Sequence, residues 1–161
     1  GRDGHPDTGL NHNAGDFSNL PAGEAYVAPM EGKSNGTIVF DGSMAGVGLL
    51  SGEVIEVTVE NGYAVDIKGG SGAKKLHSIM EPFGKPAFNL AELGIGTHDK
   101  ALVTGNVLED EKAIGTIHIA FGDNKSMGGT VRVASHLDGV VLSPTVKVDG
   151  ETIMSEGKLL I

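Results

Sequence analysis

Val54-Ile55-Glu56-Val57-Thr58-Val59-Glu60-Asn61-Gly62-Tyr63-Ala64-Val65-Asp66-Ile67 sets two runs rich in β-branched residues on either side of Asn61-Gly62. An Asn-Gly pair readily takes the positive φ angles of a tight two-residue turn, so the stretch predicts an antiparallel hairpin. Val146-Lys147-Val148 and Thr152-Ile153-Met154 flank Asp149-Gly150 in the same way, and Thr37-Ile38-Val39-Phe40 runs into Asp41-Gly42. Two further strand candidates are Gly115 to Phe121 and Gly129 to Leu142.

One helix interrupts this pattern. Ser71 can cap a helix through Met80, with Ala73, Leu76, His77 and Met80 at the i, i+3, i+4, i+7 spacing of one face. Pro82 then stops it. A second short helix or turn is expected over Phe88 to Leu93. The fold class is α+β, mainly antiparallel β-sheet with one or two short helices. The 161 residues suffice for one domain with a core and are too few for two ordinary ones. Residues 1–20, polar and turn-rich, read as an N-terminal connector, and 21–161 as the folded domain.

Composition narrows the chemistry. Lys and Arg number 12 against 21 Asp and Glu, a net charge of −9, so the basic surface that neutralises nucleic-acid phosphates is missing. With no cysteine, disulfides, thiolate metal sites and cysteine catalysis are excluded, and a metal must be held by His, carboxylate or carbonyl. No apolar run is long enough for a bilayer crossing and no leader pattern opens the chain, so a cytoplasmic protein without membrane partners is expected. Glycine, at 26 residues, is about twice ordinary usage, which marks many tight turns. Aromatics at 4% leave the core to Val, Ile, Leu and Ala.

Period-2 alternation in Ile114 to Phe121 puts Ile117, Ile119 and Phe121 on one face and His118 on the other, beside the small Thr116 and Ala120. In the next strand His136 and Asp138 share a face, roughly 6–7 Å apart at the backbone, which suits chelation of a divalent ion. The bland alternative is that Asp138 caps a bend while His136 packs. Glu24 and Glu92 are single acids among apolar and small residues, where a buried carboxylate needs a cation. Glu111 ends the acidic run Leu108-Glu109-Asp110-Glu111-Lys112, which by itself reads as a solvated turn. The glycine-rich Gly46 to Gly52 and Gly69 to Gly72 lack a phosphate-loop pattern and read as turns. His5, His12, His77 and His98 read as surface residues, and the Asn35 and Asn124 sequons as chance matches.

Asn19-Leu20-Pro21-Ala22-Gly23-Glu24, Ala28-Pro29-Met30-Glu31-Gly32, Ala91-Glu92-Leu93-Gly94-Ile95-Gly96, Leu108 to Lys112, Gly115 to Gly122 and His136-Leu137-Asp138 resemble, in order, the M29 metallo-aminopeptidases. The resemblance implies a metal-dependent aminopeptidase, or the C-terminal metal-binding half of one. Two divalent ions (Zn, Co, Mn or Mg) would be held by Glu24, Glu92, Glu111, His118, His136 and Asp138. Glu92 would be the catalytic residue, bridging the ions or acting as general base, and the substrate a peptide. It also implies a homodimer or a separate N-terminal α/β domain. Ions about 3.5–4 Å apart can share and activate a hydroxide.

Two positions depart from the family: Lys125 stands where members carry a tyrosine, and Leu137 where they carry a tryptophan. Ring-cleaving non-haem Fe(II) dioxygenases are similar in sequence to this family, and His118, His136 and one carboxylate would make the two-His-one-carboxylate set of such an iron site. A metal-stabilised assembly domain without turnover is the third reading.

Overall fold

The computed structural model of the chain describes residues 2–160. In chain order its first strands are β1 (His5–Asp7), β2 (Glu24–Val27), β3 (Gly36–Phe40), β4 (Ser43–Met44), β5 (Gly48–Leu49), β6 (Ile55–Glu60) and β7 (Tyr63–Gly69). Helix α1 (Ser71–Met80), β8 (Leu90–Gly96), the single turn α2 (Val107–Asp110), β9 (Thr116–Gly122) and β10 (His136–Leu142) follow. The chain closes with β11 (Val146–Val148), β12 (Glu151–Ser155) and β13 (Lys158–Leu159). The main sheet has seven strands in the order β1-β2-β8-β9-β10-β4-β5, and two three-stranded sheets, β3-β6-β7 and β11-β12-β13, accompany it. Every paired strand is antiparallel to its neighbour. The fold is therefore of the expected class, mostly antiparallel β with one main helix.

The core lies between the β3-β6-β7 sheet, α1 and one face of the main sheet. Ile55, Val57 and Val59 alternate inward from β6, and Leu76 and Met80 inward from α1, against Phe40, Met44, Leu90 and Phe121. Phe121 meets Phe40 edge to face, with ring centroids 6.3 Å apart. Burying each large aliphatic side chain stabilises the fold by about 1.5–3 kcal/mol. Because Ile119 and Phe121 of β9 and Leu137 and Val141 of β10 point to this core, period 2 sends His118, Ala120, His136 and Asp138 to the opposite face.

The Asn61-Gly62 and Asp149-Gly150 hairpins and the helix over Ser71–Met80 stand where the pattern placed them. Helix α1 is entered from Gly70 without a side-chain cap, so Ser71 is its first residue rather than its cap. Three segments differ from expectation. Phe88 to Leu93 is not a helix: a 3-10 turn over Lys85–Phe88 leads straight into β8, which lies between β2 and β9. Residues 129–135 are not strand, because Asn124 Oδ1 accepts the amide of Val131 and Asp123 Oδ2 that of Val133, which withdraws both donors from any ladder. Within the expected connector, β1 pairs with β2 in the register Asp7 to Glu24. Among the described residues no helix is long and apolar enough to cross a membrane.

Candidate metal centre

Strand register gathers the site on the free face of the main sheet. Gly94 of β8 pairs with Tyr26 of β2 and with His118 of β9, and His118 pairs in turn with Val140 of β10. One step along the strands, Glu92 pairs with Ala120 and Ala120 with Asp138; the next step pairs Gly122 with His136. Glu24 pairs with Gly96 at the other end. The five side chains thus run obliquely across four adjacent strands. A Cβ on Gly94 would stand 2.0 Å from Nε2 of His118, so only glycine lets the imidazole lie across β8.

Each imidazole is oriented by its second nitrogen. His118 Nδ1 lies 3.1 Å from the Glu111 carbonyl oxygen, and His136 Nδ1 lies 2.7 Å from that of Asp123. A carbonyl can only accept, so both Nδ1 atoms carry hydrogen and both Nε2 atoms face the carboxylates. His118 Nε2 is 3.1 Å from Glu24 Oε2 and 3.4 Å from Glu92 Oε1; His136 Nε2 is 3.0 Å from Glu92 Oε2 and 3.4 Å from Asp138 Oδ1. Burial works against charge on both rings, but the carboxylates outweigh it, raising the pKa of His118 to about 10 and that of His136 to about 11. Burial likewise resists charge on Glu92, yet hydrogen bonds from His118 and His136 hold its pKa at about 2.

Behind this row lies a second layer. Lys112, fully buried, places Nζ 2.7 Å from Glu24 Oε1 and also donates to Glu111 Oε1. Burial and the charge of Asp138 raise the pKa of Glu111 to about 7, against the pull of Lys112. Asp110 is fully buried too, and its Oδ2 accepts from Ser43 Oγ and the Gly105 amide while Oδ1 accepts from the Thr104 amide. The acidic run Leu108 to Lys112 is therefore no solvated turn, since Asp110, Glu111 and Lys112 are all buried.

All six expected ligands border one cavity of about 780 Å³. Two donor groups within it could hold a metal ion, Glu24 with Glu92 and His118, and Glu92 with His136 and Asp138; in each the ligand atoms lie within 4.8 Å of one another. Glu111 belongs to neither group. The donors fit a divalent cation: Glu24 Oε2 is buried without a hydrogen bond, and both Nε2 lone pairs become available when the rings are neutral. Sequence reasoning missed Lys112, whose position after three acids reads as an ordinary charge run. It also missed Tyr26, which lines the cavity from β2. Period 2 from Glu24 was the available signal for Tyr26. Lys125 and Leu137 do not line the cavity.

A search of the curated proteins gives no significant match. The chain is similar in structure to the 2,5-dihydroxypyridine dioxygenase of Pseudomonas putida KT2440, with 22% identity, a TM-score of 0.80, and coverage of 87% of this chain and 44% of that one. It is also similar to AmpT of Thermus thermophilus, with 23% identity, a TM-score of 0.65, and coverage of 88% and 40%. This chain thus spans less than half the length of either, and at such identity both likenesses speak for the fold alone. The family model of NicX, 2,5-dihydroxypyridine 5,6-dioxygenase, matches residues 4–161. That match corrects the reading as an M29 metallo-aminopeptidase: the motifs that carried the resemblance belong to a fold shared with AmpT, and neither a hydrolase nor an aminopeptidase assignment stands. With almost every residue inside one family model, the chain belongs to the NicX, 2,5-dihydroxypyridine 5,6-dioxygenase, family.

Proposed function

We propose that the chain is the metal-binding part of a ring-cleaving dioxygenase for hydroxylated pyridines, with one ferrous ion held by His118, His136 and Asp138. The observation that carries this reading is that His118 Nε2 and His136 Nε2 face the two oxygens of Glu92, at 3.4 and 3.0 Å, with Asp138 Oδ1 3.4 Å from His136 Nε2 and both Nδ1 hydrogens already committed to backbone carbonyls. Two imidazoles and one carboxylate leave coordination positions open, and a ferrous ion there would supply binding and activation of O₂ beside the ring.

The chain's own residues do the rest. The Glu111 and Asp123 carbonyls keep the rings in the tautomer that presents Nε2. Glu92 touches both imidazoles, and its pKa is low because it accepts from two protonated rings. In the loaded site those rings are neutral and the charge of the ion takes their place beside Glu92, so the carboxylate stays ionised. Glu92 is then placed to take the proton of a ring hydroxyl on a carboxylate oxygen. Tyr26 and the segment from Pro6 to Leu10 wall the cavity in which the ring would lie.

Anaerobic loading with Fe²⁺, followed by 2,5-dihydroxypyridine and air, tests the reading by O₂ uptake and loss of ring absorbance. One O₂ is expected per ring lost, with His136→Ala and Asp138→Ala reduced to the metal-free background. Uptake no faster than that background in the loaded wild type would overturn the proposal.

A further inference from the structure

We propose that Asn124 is the positioning residue of His136: its side-chain amide fixes the peptide between Asp123 and Asn124, whose carbonyl holds the imidazole with Nε2 toward the carboxylates. The inference rests on the metal-site part of the proposed function and not on its substrate. In the sequence Asn124 only heads the chance sequon Asn124-Lys125-Ser126, yet it is wholly buried and both ends of its amide are engaged. Oδ1 accepts the Val131 amide at 3.0 Å, and Nδ2 donates to Glu31 Oε1 at 3.0 Å. A buried amide with both ends bonded is costly to move, because each broken bond leaves a polar group unsatisfied.

A planar trans peptide presents its carbonyl and its N–H in opposite directions. In the unit between Asp123 and Asn124 the carbonyl accepts from His136 Nδ1 at 2.7 Å, and the N–H donates to the Val131 carbonyl at 3.2 Å. Val131 is held in turn by Asn124 Oδ1, so the backbone and the side chain of Asn124 close a two-way pair with one residue. Nδ2 anchors that pair to Glu31. Turning the carbonyl away from His136 therefore breaks the pair with Val131. His118 is held separately, because its Nδ1 meets the Glu111 carbonyl on another segment. Gly129 shows how closely the amide is packed. A Cβ there would stand 2.0 Å from Asn124 Oδ1, and the three nearest atoms all belong to the Asn124 amide.

Asn124→Ala removes the amide, and Gly129→Ala displaces it while leaving it in the chain. The test reads both variants twice: by calorimetric titration with Mn²⁺, and by nitrogen-15 NMR of the two imidazole Nδ1–H groups in the metal-free chain. Each variant should bind Mn²⁺ about 10–100-fold more weakly than wild type, the range typical when a ligand's supporting contacts are lost. In each, the His136 Nδ1–H signal should be lost to exchange with water while that of His118 keeps its wild-type position. A general loosening of the fold would move both rings, so equal change at His118 would overturn the proposal. A His136 signal or a Mn²⁺ affinity at its wild-type value in a folded variant would overturn it as well. Should one variant fail to fold, the other decides. His136→Ala is the control for the site itself. If it binds Mn²⁺ as wild type does, the metal-site reading fails, and the Nδ1–H signals alone decide the role of Asn124.

Discussion

His118 Nε2 lies 2.0 Å from where a Cβ on Gly94 would stand, and the ring is held from behind by the Glu111 carbonyl at 3.1 Å. A methyl group at Gly94 can be accommodated only if the imidazole swings off the sheet face, which breaks the bond to Glu111 and carries Nε2 away from Glu24 and Glu92. Gly94→Ala should therefore keep the β-rich fold, seen by circular dichroism, and weaken Mn²⁺ binding on the order of 10–100-fold, the range typical when a ligand's supporting contacts are lost. Calorimetric titration measures this, and wild-type affinity in that variant would show that His118 is not a ligand. Residues of this kind were partly legible. His118, His136 and Asp138 could be placed together because alternation along a strand fixes which face a side chain takes. Lys112 could not, because its burial depends on Glu24, far away in sequence, and no local pattern encodes that pairing.

Between β9 and β10 the chain forms a loop tied by side chains rather than by a ladder. Asn124 Nδ2 and the Thr130 amide donate to Glu31 Oε1, and Arg2 pairs with Oε2 of the same carboxylate. This loop carries the Asp123 carbonyl that orients His136. Burial opposes ionisation of Glu31, but the bonds from Arg2, Thr130 and Asn124 outweigh it and bring its pKa from an ordinary 4.5 to about 2. A depressed carboxylate pKa stabilises the fold above the unfolded value and loses that contribution as pH falls through the folded one. The Glu31 contribution is thus complete above about pH 4.5 and lost by about pH 2. Glu31→Gln should lower stability at neutral pH and flatten its fall between those limits, as followed by urea unfolding across pH; parallel profiles for the two proteins would refute the role. The same loop shows why element boundaries escaped the sequence. Val131 and Val133 have strand propensity, yet their amides are captured by Asn124 and Asp123. In β8, Leu, Ala and Glu favour a helix, and pairing with β2 and β9 overrides them. The glycines at 94 and 96 were the overlooked sign, since a Cβ on either would strike the His118 ring or the Ala113 carbonyl. The hairpins and α1 were legible because their signals are local: an Asn-Gly or Asp-Gly turn, or one apolar face ended by proline.

At the scale of the whole molecule, metal binding and the cavity wall come from different parts of the chain. Every candidate ligand in the two donor groups lies on β2, β8, β9 or β10, strands that pair with one another without help from the first nineteen residues. The wall opposite them is built by that segment, with Pro6, Asp7, Leu10 and Phe17 among the residues bordering the cavity. A chain beginning at Leu20 loses β1 and this wall but keeps β2 paired with β8. It should bind Mn²⁺ with the affinity of the full chain. Its affinity for 2,5-dihydroxypyridine should fall by about tenfold or more, the equivalent of roughly 1.4 kcal/mol of lost ring contact. The truncation also removes Arg2 from Glu31, so Arg2→Ala in the full chain is the necessary control. If that control keeps full affinity for the ring while the truncated chain loses it, the wall is responsible and not the loop behind His136. Equal ring affinity in the truncated and full chains would mean that the substrate is held by the sheet face alone.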